Sequence, residues 1–275
     1  MKQVILPTDF SDNSWRAMSY AAQLYANQPC EFVLLNTFHV SQNFSEVGVT
    51  MNMEHFQEEA DKNMSEMEAR FKELDRHDDS TIEAVAKFTS LVDAIQALEE
   101  KQPNNSVVVM GTKGANGLGE LFLGTMTSHV LKHVRVPLIC VPGDAQLTPP
   151  TKMMLAVDKE GVDRKDEIQE MIELAQNHGS QIAVVNVPED ADALFGDDLA
   201  EKFVIDHYLD KIKHEYHSLP GEYKEDVISR FADKEGVDLM VFIKRDRGFW
   251  SNLFHQSLTK SMAYHSDKPM LILRS

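Results

Sequence analysis

The sequence predicts an α/β fold of two tandem domains, each a parallel, doubly wound sheet of five strands with helices on both faces. Three observations carry this expectation. Short apolar runs alternate with longer amphipathic stretches. The same pattern restarts past the middle of the chain. A glycine-rich segment follows the fourth apolar run and precedes a helix.

The elements follow in order. Val4-Ile-Leu6 is a brief strand ended by Pro7. Asn13–Asn27 reads as a helix, with Trp15, Met18, Ala22 and Tyr25 at spacings of three and four. Glu31–Phe38 is a second strand, rich in Phe, Val and Leu. Met53–Leu74 is a long helix with sparse apolar positions and an acidic bias from Glu58, Glu59, Asp61, Glu66, Glu68 and Glu73. It reads as a solvated helix covering the sheet edge. Thr81–Phe88 is a third strand, Leu91–Leu98 a helix, Ser106–Met110 a fourth strand, Thr125–Val134 a helix, and Pro137–Val141 the last strand. Strands separated by helices need crossover connections, which make the sheet parallel.

Pro142, Gly143, Pro149 and Pro150 then bracket a polar linker. Beyond it, Met153–Asp158 matches Val4–Asp9, Ile182–Asn186 matches Phe32–Asn36, Val241–Ile243 matches Val108–Met110, and Lys268-Pro269 matches Val136-Pro137. The spacing between matched residues shortens along the repeat, so the second copy has lost loop residues. A repeat this long is a duplicated domain and not a solenoid. The expected domains are residues 1–145 and 151–275.

The 275 residues are 43% hydrophobic and 26% charged, which excludes a wholly disordered chain. The formal net charge is −17. A surface this acidic repels nucleic-acid phosphates and anionic lipid, so neither is an expected partner. The N-terminus has no signal-peptide apolar core, and no run approaches the ~18 apolar residues that span a bilayer. Cys30 and Cys140 stand far apart with no metal spacing. They read as small buried hydrophobes in a reducing, cytoplasmic compartment.

The chemistry concentrates in Gly111-Thr-Lys113-Gly114 and, ten residues on, Gly124-Thr125. The position, after a strand and before a helix, is where open α/β sheets bind ligands. Gly111 and Gly114 let backbone approach a bulky anion. Gly124 and the cap residue Thr125 leave the first helical amides open to a phosphate, and Lys113 adds a mobile positive charge. A surface loop with turn glycines also fits this segment taken alone. No GxxxxGK[ST] is present, and no GxGxxG joins the first strand to the first helix.

The strand ending in Asp9, the G-x2-G-x9-G-[ST] spacing and the Val-Pro before the last strand together resemble the universal stress protein family, over essentially the whole chain and in two copies. The resemblance implies Rossmann-like domains of the adenine nucleotide alpha hydrolase type, with strand order 3-2-1-4-5. It implies ATP, with or without Mg, or a related adenine nucleotide in the first domain. Asp9, with Pro7 and Thr8 beside it, would meet the adenosine moiety, and Thr37 would offer backbone to adenine. Met110, Gly111, Lys113 and Gly114 would wrap ribose and phosphates together with Gly124, Thr125, Met126 and Thr127. The Asp9 side chain also suits a turn or cap before the helix near Ser11 to Ser14. The family commonly dimerises through its last strands, which here implies an internal pseudo-dimer of Leu138–Val141 with Met270–Leu273 and leaves room for a homodimer of whole chains.

The second copy departs from the motif. Lys244 stands for Gly111, Arg247 for Gly114, Gln256 for Gly124 and Ser257 for Thr125. Bulky Phe249 and Trp250 follow Gly248 and are expected to plug the cleft near Asp158. Lys244, Arg245 and Arg247 suit either another anion or salt bridges on the acidic surface. The nucleotide is therefore expected in the first domain only, in a signalling role. No catalytic residue and no metal site is expected, and hydrolysis should be slow, for want of a general base. The alternative is a scaffold protein that keeps only the fold. His129 and His133 lie one turn apart, without a third metal ligand in view. His207, His214 and His217 read as the polar face of one helical stretch with Tyr208 and Tyr216.

Overall fold

The computed structural model describes residues 1–38, 53–112, 125–157, 161–186, 199–219, 224–245 and 267–274. In the first half, β1 (Lys2–Pro7), α1 (Asp12–Leu24), β2 (Cys30–Phe38), α2 (Met53–Lys72), β3 (Thr81–Phe88), α3 (Leu91–Glu99), β4 (Ser106–Gly111), α4 (Thr125–His133) and β5 (Leu138–Val141) follow one another. The second half has β6 (Lys152–Val157), a short 3-10 turn (Lys165–Ile168), α5 (Gln169–His178) and β7 (Gln181–Asn186). It continues with α6 (Leu199–Tyr208), β8 (His214–Ser218), α7 (Lys224–Lys234), β9 (Leu239–Lys244) and β10 (Met270–Arg274).

The strands join into one ten-stranded sheet in the order β3-β2-β1-β4-β5-β10-β9-β6-β7-β8. Each half has the order 3-2-1-4-5. Within each half the described pairs are parallel. The halves meet where β5 and β10 pair antiparallel, with Cys140 opposite Met270, Ile139 opposite Leu271 and Leu138 opposite Ile272. Each strand thereby covers an edge that would otherwise invite pairing with another chain.

Period-two alternation sorts the strand residues onto two faces. Val4 and Leu6 face a core formed with α1, α2, α5 and α6, and this core runs through both halves. Ile5 faces the opposite core, formed with α3, α4 and α7. Helices α1 and α3 start on serine caps: Ser11 Oγ accepts from Ser14 N–H, and Ser90 Oγ from Asp93 N–H. Arg70 of α2 lies 3.7 Å over the Trp15 ring of α1, which fastens the acidic helix to the core. Cys30 and Cys140 are both free and buried. No described helix is long and apolar enough to cross a membrane.

One expected element is corrected. The stretch from His207 to His217 is not one helix: α6 ends at Tyr208, and His214 and His217 sit on the edge strand β8. The open edge of β7 takes this segment as a partner, with Ile182 opposite His214 and Val185 opposite His217. Ladder pairing there outweighs local helical spacing.

Candidate functional site

In the first half, strand order reverses at β1, which has β2 on one side and β4 on the other. The carboxyl ends of these strands open the crevice that α/β sheets use for ligands. Pro7 ends β1 opposite Leu35. Thr8, buried, continues the strand by donating its N–H to Leu35 O at 2.9 Å. Its carbonyl accepts from the buried Asn36 Nδ2 at 2.8 Å. Asp9 then emerges exposed.

The chain turns sharply after Asp9. Phe10 adopts a left-handed backbone with φ 63°, a conformation that costs a non-glycine residue energy. Three contacts hold it. Phe10 N–H donates to Thr8 Oγ1 at 2.9 Å, Ser11 N–H donates to Asp9 Oδ1 at 3.1 Å, and Ser11 Oγ–H donates to the same oxygen at 2.5 Å. Ser14 Oγ donates to Ser11 O at 2.8 Å and lies 3.0 Å from Thr8 Oγ1, which places the Thr8 proton in that contact. Asp9 thus takes the turn role the sequence allowed it, while Ser11 is the cap.

Gly111 ends β4 on the other side of the crevice. A Cβ there would stand 2.0 Å from Asn13 Nδ2 and 2.7 Å from Asn13 Cγ. Helix α1 therefore packs directly against the start of the glycine segment. Thr127, on the first turn of α4 and 1% exposed, donates its hydroxyl to Gly111 O at 2.9 Å. The two ends of the segment between β4 and α4 are closed on each other. Met110 is buried, Met126 is 49% exposed, and Thr125 is the first residue of α4. Thr37 lies next to the end of β2, opposite Lys87. Lys113, Gly114 and Gly124 lie outside the described residues.

The structure thus brings Pro7, Thr8, Asp9, Met110, Gly111, Met126 and Thr127 to one end of the sheet, with Thr37 on the neighbouring strand. Asn36, Phe10 and Asn13 shape the same crevice, and the sequence reading missed all three. Asn13, four residues after Asp9 and two before Trp15, carries no motif; only its closeness to Gly111 reveals it.

The second crevice differs. Asp158, Arg247, Phe249, Trp250, Gln256 and Ser257 lie outside the described residues, and so does the expected aromatic plug. What is described is a strap. Arg245, just past β9 and 9% exposed, donates from Nη2 to Gly161 O at 2.7 Å, and the same atom lies 3.5 Å from Glu167 Oε2. Glu167 is buried, and its Oε1 lies 3.6 Å from Arg164 Nε. The guanidinium spans the gap between the segments after β6 and β9. In the first half the corresponding segments follow β1 and β4. Among the described residues, no group of three or more His, Cys, Asp or Glu is placed to hold a metal ion.

The universal stress protein family model matches this chain twice, over residues 1–142 and 150–274. Among curated proteins none matches the sequence. Several solved structures do. A universal stress protein from Archaeoglobus fulgidus DSM 4304 superposes with a TM-score of 0.73 at 18% identity, covering 99% of this chain and 96% of that one. A functionally unknown protein of Pseudomonas aeruginosa PAO1 gives a TM-score of 0.60 at 12% identity, covering 100% and 92%. A universal stress protein solved in complex with cAMP matches with a TM-score of 0.38 at 21% identity, covering 51% of this chain and 96% of its own.

Proposed function

This chain belongs to the universal stress protein family, in a tandem two-domain form, and on that premise we propose that its first half binds ATP or a related adenine nucleotide and its second half does not. The nucleotide serves as a regulatory ligand, in the cytoplasm, and not as a rapidly turned-over substrate. The observation that carries the proposal is the 2.9 Å bond from Thr127 Oγ1 to Gly111 O. It ties the first turn of α4 to the end of β4 at the carboxyl end of the sheet. A loop between a strand end and a helix start can surround a phosphate chain with backbone amides.

The residues present fit the ligand. The space beside Gly111 admits no Cβ because Asn13 fills it, so only glycine lets β4 end this close to α1 at the crevice. Asp9, exposed at the end of β1, accepts hydrogen bonds from ribose hydroxyls or an amino group. Thr37 offers its backbone to the base, and Pro7 and Thr8 form the floor below. Lys113, Gly114, Gly124, Thr125 and Met126 complete the phosphate side, with or without a magnesium ion that the phosphates themselves would hold. Two buried free thiols support a reducing compartment.

Titration calorimetry of the full chain with ATP tests the reading. One site per chain is the expected result. Two equivalent sites, or none, overturn it. Gly114→Val and Gly124→Val should each abolish binding, because a side chain would stand where phosphate approaches.

A further inference from the structure

Both helices that open at the first-half crevice end against the second half. At the end of α1, Leu24 O lies 2.8 Å from His178 Nε2 of α5. At the end of α4, Leu131 O accepts from Lys244 Nζ at 3.1 Å and also from Arg274 Nη2. Lys244 ends β9 and Arg274 ends β10. The last four carbonyls of a helix have no partner within it, and that end is its negative pole. Two cations from the other half of the chain converge on one of these carbonyls.

We propose that Lys244 and Arg274 are positioning residues for the phosphate end of the first-half site. The inference rests on the nucleotide reading above and deepens it. Helix α4 has nine residues, about 13 Å in all. Its first turn is fixed to Gly111 by Thr127, and its last by Gln96 Nε2 on His133 O at 3.1 Å together with the two cations on Leu131 O. A rigid rod held at both ends transmits a shift at one end to the other.

The placement of Lys244 explains why the second loop has lost its first glycine. Lys244 is the last residue of β9, as Gly111 is the last of β4. At that place the first half needs room for Asn13. The second half instead carries a long cationic side chain, which reaches back over the β5–β10 seam to the other half's helix. The degenerate domain acts as the anchor of the working one.

The test compares wild type, Lys244→Met, Arg274→Met and Lys244→Arg as full chains. ATP and adenosine are titrated into each, and hydrogen exchange is followed over residues 125–134. Either methionine variant keeps one cation on Leu131 O, so the fold is retained. The expected result is an ATP Kd raised about threefold to tenfold, an unchanged adenosine Kd, and faster exchange in α4. Lys244→Arg should restore the wild-type values. Equal weakening of ATP and adenosine, or no change in either, overturns the inference. A wild type that binds neither ligand overturns the nucleotide reading, and the inference falls with it; that failure shows before any variant is compared.

Discussion

The hydroxyl of Tyr25 donates to Glu170 Oε1 at 2.6 Å, and both residues are buried although they belong to opposite halves of the chain. The other carboxylate oxygen of Glu170 takes Lys2 Nζ at 2.7 Å, and Lys2 also reaches Glu173 at 2.9 Å. Around this cluster, Asn27 Nδ2 donates to Asn177 O at 3.1 Å, and Asn177 Nδ2 donates to Gln28 Oε1 at 3.0 Å. The seam is therefore held by polar contacts from Lys2 of β1 and the residues just after α1 to α5, as well as by the β5–β10 ladder.

Removing the Tyr25 hydroxyl leaves a buried carboxylate short of one donor. Tyr25→Phe should destabilise the chain by about 1.5–3 kcal/mol, as for a hydrogen bond to a charged group. Chemical denaturation reads this directly. A double-mutant cycle with Glu170→Gln should show coupling, whereas additive effects would mean that the bond contributes nothing across the seam.

That cluster, together with the separately buried Tyr20, makes the protein sensitive to alkali. Tyr20 and Tyr25 have ordinary values of 10.0; burial raises both, helped by Asp238 for Tyr20 and by Glu170 for Tyr25. Burial alone would lower the Lys2 ammonium from 10.5, but Glu170 and Glu173 overcome it and the net direction is up. In each case the folded state holds its proton more tightly than the unfolded chain. The stabilisation is complete below about pH 10 and is lost as pH rises through the folded values. Unfolding free energy measured against pH should fall above about pH 10, and Tyr25→Phe should make that fall shallower. An alkaline limb identical in the variant would exclude Tyr25 as a cause.

The thiols should be silent in the native state. Cys30 is pushed up to about 12, by burial first and then by Glu170, and burial alone pushes Cys140 up. The thiolate is the reactive form. A chromogenic disulfide reagent should count two thiols in denaturant and react with neither at neutral pH in native protein. Rapid labelling of Cys140 without denaturant would mean that the β5–β10 seam opens readily.

The alternation of strands and helices, the 3-2-1-4-5 order implied by the family resemblance and the placement of Asp9 and Gly111 at the ends of the neighbouring strands β1 and β4 were legible because each rests on local pattern or strand ends. The contacts that shape the crevice were not. Asn36 reaches Thr8 O across two strands, and Asn13 matters only through its distance to Gly111. Phe10 gives no sign of a left-handed backbone, since glycine or asparagine is the usual marker. His214 and Tyr216 both contact Asp206 Oδ1, at 2.9 and 2.8 Å. Their spacing of two is a strand signal that the helical reading passed over.

Gly111 should tolerate no side chain unless its neighbour yields. Gly111→Ala should cost about 1–3 kcal/mol through overpacking against Asn13 and should weaken ATP binding. Adding Asn13→Ala removes the nearest two atoms and should recover most of the stability, though Asn13 O at 3.0 Å remains. If Gly111→Ala alone is neutral in denaturation, α1 can shift freely and the tight approach is not a constraint.

The Arg245–Glu167 strap should outlast the lost glycines as the obstacle to a second site. Arg245→Met removes the buried partner of Glu167, leaving Arg164, which is 64% exposed, as its only described cation. An unbalanced buried carboxylate costs about 3 kcal/mol or more, so this variant should be markedly less stable. Arg245→Met combined with Glu167→Leu removes both charges and should regain most of that loss, because an apolar pair needs no desolvated partner. Glycines placed at Lys244, Arg247 and Gln256 should leave ATP stoichiometry at one per chain while the strap stands, since the guanidinium already bridges the segments that a nucleotide would have to part. Calorimetry of the glycine triple variant showing a second site, with Arg245 and Glu167 intact, would mean that the strap opens and that the missing glycines alone had silenced the second half.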